Sequence, residues 1–188
     1  MNTGFQAVLE FWFGEVPGVS RQQWFKKDTA FDAEIRERFG ALLERAGRRE
    51  LEDWRQAPES MLALVVVLDQ FSRNLFRNDA RAFANDARAL ECAHQAIARG
   101  DESVLKPVQR QFLYLPFEHS EDLADQERGV ELMRGLDAYP ETQGLVTWAE
   151  KHREIVRRFG RFPHRNAALG RASTPEEAEF LKQPGSGF

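Results

Sequence analysis

The chain has 188 residues, a formal net charge of −4 and a single cysteine, which suits one domain that folds without a metal or a disulfide. The negative charge argues against bulk attraction to nucleic acid or to an anionic membrane, and residues 1–15 contain neither a basic leader nor an apolar run of spanning length. We therefore expect one cytoplasmic all-α domain over residues 1–188, with the tail 183–188 packing on or near it.

Helical periodicity dominates the first half of the chain. Asp28 and Thr29 are cap candidates for an amphipathic helix whose apolar residues recur at steps of three and four until Gly47. Pro58 suits the first position of the next helix, and the run 61–68 is apolar on every side, which predicts the centre of the core. Asp79 is expected to cap a further helix that ends at Gly100.

The second half contains four more predicted helical stretches. Pro107 opens a helix that should kink or break at Pro116, because proline lacks the backbone donor that a helix interior needs. Residues 120–136 are highly charged and are expected to be exposed. Thr142 is expected to cap a strongly amphipathic helix that ends before Gly160, and Thr174, Pro175 and Glu177 form a capping box for a short last helix.

No segment has the pattern of a strand, so the fold class is all-α with no sheet. Short connections favour antiparallel neighbours, arranged either as a closed bundle or as a stack of helical hairpins. A short similarity between residues 69–75 and 161–167, each an aromatic residue followed by Arg-Asn, favours the stack. Tandem aromatics such as 11–13 and 24–25 are interpreted as core residues rather than as a recognition surface.

Two windows of opposite charge stand out. Residues 118–137 contain seven acidic residues and two arginines, whereas residues 151–171 contain seven basic residues and one acid. The windows either pair with each other or form solvated helix faces, or the basic window is an anion-binding wall.

The first candidate site group directly follows the most apolar helix and consists of Asp69, Gln70, Arg73 and Asn74. Asp69 and Arg73 are four residues apart and can pair on a helix. The group is either a buried ion pair that locks a helix end or one polar wall of a cleft.

The second group lies beside Pro116 and consists of Glu118, His119, Ser120 and Glu121. A neighbouring carboxylate would make His119 more basic, as a general base requires, although residues adjacent in sequence often point apart. His152 lies on an apolar stripe, so it is either a hydrogen-bonded core histidine or a third member of the site.

The third group is Arg161, His164, Arg165 and Asn166 in the segment RFPHRN, which follows a helix end at Gly160. Arginine side chains suit carboxylate or phosphate groups, but the same side chains can cap helix carbonyls or pair with the acidic window.

Metal, phosphate-loop and serine-hydrolase motifs do not occur in the sequence. His119, His152 and His164 match no known metal-ligand spacing with Glu118, so we predict neither a metal nor a cofactor. The lone Cys92 is expected to be a small buried hydrophobe.

Several long segments carry a family resemblance: VLEFWFGE, WFKKD, LDQFSRNLFR with ARAFA, FLYLPFEHSE, HREIVRRFGRFPHRNAALGR and STPEEAEFL. Their order along nearly the whole chain resembles the uncharacterised bacterial family catalogued as domain of unknown function 924. The resemblance implies an α-helical fold similar to tetratricopeptide repeats, a right-handed superhelix. It implies no reaction and no functional residues, and Ser72 stands where the pattern has proline.

Two function classes follow from these groups. The first is a binding module whose groove, lined by Arg73, Asn74, Arg161 and Arg165, holds an acidic group of a peptide or an anionic small molecule. The second is an enzyme, a hydrolase or transferase, with His119 or His164 as acid or base and Glu118 as the orienting carboxylate. Nucleic-acid binding through residues 151–171 is a lesser alternative that the net charge opposes.

Overall fold

The computed structural model describes residues 4–14, 22–24 and 26–187, and every regular element in these ranges is helical. The all-α prediction is therefore confirmed for the described chain. The α-helices are α1 (Phe5–Phe13), α2 (Thr29–Gly47), α3 (Pro58–Val65), α4 (Ser72–Leu75), α5 (Asp86–Arg99), α6 (Pro107–His119), α7 (Leu123–Leu136), α8 (Leu145–Phe159) and α9 (Pro175–Phe180). Short 3-10 turns lie between several of them.

Four predicted helix starts are confirmed, among them Pro107 as the first residue of α6. The Asp28 carboxylate accepts the backbone N–H groups of Ala30 and Phe31, which have no carbonyl partner at the start of α2. Pro58 is the first residue of α3. Thr174 and Glu177 form the predicted capping box of α9.

Two predicted caps are wrong. Asp79 caps only the 3-10 turn Ala80–Ala82, and α5 begins later, at Asp86. Thr142 lies in the 3-10 turn Pro140–Thr142, where its hydroxyl donates to the Leu136 carbonyl at 2.7 Å. The sequence signal for a cap is local, and the same hydroxyl or carboxylate can satisfy a turn instead.

The predicted break at Pro116 is also wrong, since α6 continues through it to His119. The buried Gln126 of α7 holds the end of this helix by donating to the carbonyls of Glu118 and Ser120, each at 2.7 Å. Tertiary packing therefore stabilises a helix that proline alone disfavours.

A π-helical segment, Val66–Phe71, joins α3 to α4. Such wider turns are rare and occur often at functional sites, because they rotate the side chains that follow relative to a regular helix. All six residues of the segment are buried, including Asp69 and Gln70. Neither the apolar run nor the helical periodicity of the sequence indicates this segment.

The core surrounds α3 and the π-helical segment. Residues 61–68 are each 0 % exposed, which confirms the prediction that this run is the centre of the core. Aromatic rings of α1 and α6 pack beside it, with Trp12 edge-on to Phe71 and to Phe112. Cys92 is fully buried, as predicted.

The helices α6, α7 and α8 pack as consecutive neighbours. Beyond them, Phe162 forms a second apolar cluster with Ile155 and Val156, against which Phe159 and Phe180 pack. The tail reaches the same end of the molecule, where Gly187 lies next to His164. The tetratricopeptide-like superhelix and the single-domain assignment stay predictions.

Candidate functional site

A buried aspartate and a partly accessible histidine meet near the junction of the π-helical segment with α4. The Nδ1 atom of His119, at the end of α6, lies 2.7 Å from Oδ1 of Asp69, and the two residues are 50 positions apart in the chain. Asp69 is 1 % exposed, whereas the His119 side chain is 14 % exposed. The carboxylate therefore lies behind the imidazole, which retains some access to solvent.

Other donors hold Asp69 in its charged form. Arg73 Nη1 lies 2.9 Å from Oδ1, and the Gln70 side-chain amide donates to Oδ2. Burial by itself raises the pKa of Asp69, but the charge of Arg73 and the hydrogen bond from His119 outweigh it and lower the pKa well below its usual range. An ionised Asp69 accepts hydrogen bonds only, so the proton of a neutral His119 resides on Nδ1.

Asp86, at the start of α5, links the two arginines of the site. It accepts a bidentate pair from Arg73 at 2.8 and 3.0 Å, and Arg165 Nη1 lies 3.2 Å from its Oδ2. The Arg165 guanidinium also lies over the rings of Phe83 and Phe162, at 4.7 and 4.4 Å from their centroids. Burial and the nearby Arg73 lower the pKa of Arg165 to about 10, so it remains charged at neutral pH.

Glu118 lies deeper, next to His152 of α8. His152 Nδ1 donates to the Trp148 carbonyl at 2.8 Å and lies 3.4 Å from Glu118 Oε2. Burial, together with the charge of Asp69, raises the pKa of Glu118 to about 8. Burial lowers the pKa of His152 to about 3. Glu118 is therefore mainly protonated at neutral pH and His152 is neutral.

The three histidines are neighbours but not equivalent. The ring centroids of His119 and His152 are 6.3 Å apart, and the ring centroid of His164 lies 5.6 Å from that of Phe162. Burial and the charge of Arg165 lower the pKa of His164 to about 4. Burial and the charge of Arg73 also lower the pKa of His119, and Asp69 opposes this shift.

At neutral pH these residues form a balanced network. The charges of Asp69 and Asp86 balance those of Arg73 and Arg165, whereas Glu118 and the histidines are uncharged. An excess of positive charge, which an anion-binding wall requires, does not arise from this set.

The structure thus brings together seven of the residues that the sequence analysis singled out: Asp69, Arg73, Glu118, His119, His152, His164 and Arg165. One expected partnership is different. The carboxylate that orients His119 is Asp69, not the adjacent Glu118, because neighbouring residues on a helix point in different directions.

Three other predicted site residues lie elsewhere. Asn74 donates to Asp32 of α2 at 2.7 Å. Arg161 forms a bidentate pair with Glu177 at 2.6 and 2.8 Å, and Asn166 donates to the same carboxylate at 3.2 Å. These contacts join the RFPHRN segment to α9.

Asp86 and Phe83 also belong to the site, and the sequence singles out neither as a site residue. Asp86 opens α5 and is an ordinary first-turn acid by its pattern, so no local signal distinguishes it. Gln70, which the sequence groups with Asp69, is also part of the site.

The basic window pairs largely with acids. Arg153 and Arg157 contact Glu127 of α7, and Arg171 forms a bidentate pair with Glu121. These contacts join the basic window to the acidic window, so the interpretation that the two windows pair with each other holds for these residues. His94 is an exposed surface residue whose Nε2 lies 3.0 Å from Oδ1 of Asp125.

No group of three or more His, Cys, Asp or Glu side chains in residues 4–14, 22–24 and 26–187 is arranged to hold a metal ion. Among the helices in the same ranges, none is both long enough and apolar enough to cross a membrane.

Comparisons with known proteins agree with the fold. The family model described as bacterial protein of unknown function (DUF924) matches residues 8–185. A solved structure of a protein of unknown function from Agrobacterium tumefaciens is 42% identical, covers 96% of this chain and 97% of its own, and superposes with a TM-score of 0.86. A search of the curated proteins finds no match.

Proposed function

The chain belongs to the DUF924 family of bacterial proteins of unknown function, and we propose from its site geometry that it is an enzyme in which His119 acts as a general base. The observation that carries the proposal is the 2.7 Å contact between His119 Nδ1 and the buried Asp69. A buried carboxylate behind an imidazole holds the ring in one orientation and one tautomer, which leaves Nε2 as the acceptor.

The second support is the contrast between two carboxyl groups. Asp69 stays ionised beside Arg73, while burial raises the pKa of Glu118 to about 8. Acid and base roles are typically divided between groups whose surroundings separate their pKa values in this way. Glu118 is thus the proton donor of the proposed site and His119 the proton acceptor.

The reaction class that fits is hydrolysis by an activated water. Within the described residues, His119 forms no hydrogen bond to a hydroxyl or thiol that would act as a nucleophile. A base with no protein nucleophile beside it takes its proton from water or from the substrate. We also expect the enzyme to act in the cytoplasm.

A binding module that grips an acidic group has less support. Arg73 and Arg165 both pair with Asp86, and Arg161 pairs with Glu177. Three of the four residues expected to line that groove are therefore already paired with acidic side chains. The fourth, Asn74, faces α2.

Replacing the base tests the proposal. We expect the wild-type protein to hydrolyse at least one member of a panel of carboxylic esters, amides and phosphate esters, and His119→Gln to lower kcat/KM at least about 100-fold. The rate should rise with pH about a midpoint that lies below the ordinary histidine pKa of 6.5, because the pKa of His119 is lowered.

His94→Gln is the matched control, because His94 also contacts an aspartate but lies on the surface. It should retain wild-type kinetics, and circular dichroism should show that both variants fold. Failure of the wild type to turn over any member of the panel, or equal activity in His119→Gln, would contradict the proposal.

A further inference from the structure

A cavity with both polar and apolar lining residues lies apart from the proposed acid–base site. It has a volume of about 320 Å³ and is lined by residues from the first turns of α2 and from the end of α4 and beyond, namely Thr29, Asp32, Ala33, Arg36, Asn74, Leu75 and Arg77. A cavity of this size is at the lower end of the range for small-molecule sites. It shares no lining residue with the His119 site.

The carboxylate of Asp32, one of the residues that line the cavity, already accepts three hydrogen bonds. Asp32 accepts from Arg77 Nε at 2.7 Å and Nη2 at 2.9 Å, and from the Asn74 side-chain amide at 2.7 Å. Burial raises the pKa of Asp32, but the hydrogen bonds from Arg77 and Asn74 outweigh this effect and lower it. The positive charge of Arg77 thus balances the negative charge of Asp32.

Arg36 is different, because its charge is not balanced in this way. Its Nη2 atom donates to the Leu75 carbonyl at 2.7 Å, a neutral acceptor, and it forms no salt bridge with any residue that the structure describes. One hydrogen bond leaves most of the N–H donors of a guanidinium unused.

The residues that line the cavity therefore carry more positive than negative charge, and some of them are held in place. Asn74 is 9 % exposed and holds Asp32 in place, which in turn fixes Arg77. An arginine positioned by a backbone carbonyl beside a cavity matches the geometry of carboxylate and phosphate groups.

We propose that this cavity binds a small oxyanion, a phosphate or carboxylate group, through Arg36 with Arg77 and Asn74 forming its wall. The inference stands independently of the acid–base proposal, because the two sites have different residues and different tests.

Isothermal titration with inorganic phosphate and, separately, with succinate tests the inference and distinguishes the two ligand groups. We expect saturable binding of at least one of them at constant ionic strength, with a Kd on the order of millimolar. Arg36→Gln should weaken this binding about tenfold or more. Arg38→Gln is the matched control, since Arg38 lies on the same helix, is exposed and pairs with Glu34 at 2.8 Å outside the cavity.

A second measurement needs no variant. The side-chain amide signals of Asn74 in the wild-type NMR spectrum should shift as the same anion is added, because Asn74 lines the cavity. Absence of saturable binding by both anions, equal weakening in Arg36→Gln and Arg38→Gln, or unshifted Asn74 signals during saturable binding would overturn the inference.

Discussion

Single residues at the centre of this protein have protonation states set by burial and by a few charges. Glu118 is 3 % exposed and lies near the ionised Asp69, so its carboxyl group is more stable with its proton than without it. In the unfolded chain the same group has an ordinary pKa of 4.5. The difference couples the stability of the fold to pH.

The sign of this coupling gives a prediction for Glu118→Gln. The folded pKa of about 8 exceeds the unfolded value of 4.5, so the stabilising contribution is complete below pH 4.5 and is lost as the pH rises through 8. The loss is on the order of 4 kcal/mol over this interval. Glutamine has no charged form, so the free energy of unfolding of the variant should fall less than that of the wild type between pH 5 and 8.5. Urea unfolding over this pH range measures the difference.

Glu131→Gln is the control for this prediction, because Glu131 is a surface residue whose side chain is 68 % exposed. Its stability should follow the wild-type pH dependence. Identical slopes for Glu118→Gln and the wild type would show that Glu118 does not titrate in the proposed way.

At the scale of elements, the crossing of α6 and α7 positions Glu118 and His119. Gly129 of α7 faces α6 so closely that an added Cβ would lie 3.1 Å from the Cβ of Phe117 and 3.5 Å from the backbone nitrogen of Glu118. A Cβ attached to the backbone cannot move aside as a flexible side-chain end does. The close approach therefore favours glycine at this position, since any Cβ would force Phe117 or the helix backbone to shift.

Gly129→Ala should destabilise the protein by about 1–3 kcal/mol, because the two helices must separate to admit the methyl group. Gly135 is the matched control on the same helix, since a Cβ added there meets no atom within 4 Å. Gly135→Ala should stabilise the protein by about 0.5–1 kcal/mol, since alanine favours a helix interior. Thermal unfolding of both variants checks the prediction, and the same sign of change in both would refute it.

At the scale of the whole molecule, ion pairs between distant segments attach the C-terminal part of the chain to α6 and α7. Glu121 accepts from Arg171 at 2.7 and 2.9 Å and from the Phe162 backbone nitrogen at 2.8 Å, over separations of 50 and 41 residues. The apolar cluster around Phe162 is separate from the main core. This part of the chain therefore depends on polar contacts more than the rest does.

Glu121→Gln should loosen residues 160–187 without unfolding the core. The variant loses charge-assisted hydrogen bonds, so amide hydrogen exchange in that segment should accelerate about tenfold or more, while exchange in α3 stays unchanged. Glu131→Gln again serves as the exposed control. Equal acceleration in α3 and in residues 160–187 would mean that the segment does not open separately.

The amino-acid sequence by itself determined the features that depend on neighbours along the chain. The helical class and the pairing of Asp69 with Arg73 follow from periodicities of three and four residues, and the burial of residues 61–68 follows from their uninterrupted apolar composition. Helix caps are harder to predict, because a short polar side chain satisfies a turn as readily as a helix start. Asp79 and Thr142 both do so.

Only the tertiary structure decided which distant side chains meet. His119 contacts Asp69, which lies 50 residues away in the chain, and Arg165 contacts Asp86, which lies 79 residues away. These contacts depend on how the helices pack. The π-helical turn that contains Asp69 was likewise invisible in the sequence. Residue types and spacing select candidates for a polar site, but helix packing chooses their partners, because side-chain contacts form in space and not along the polypeptide.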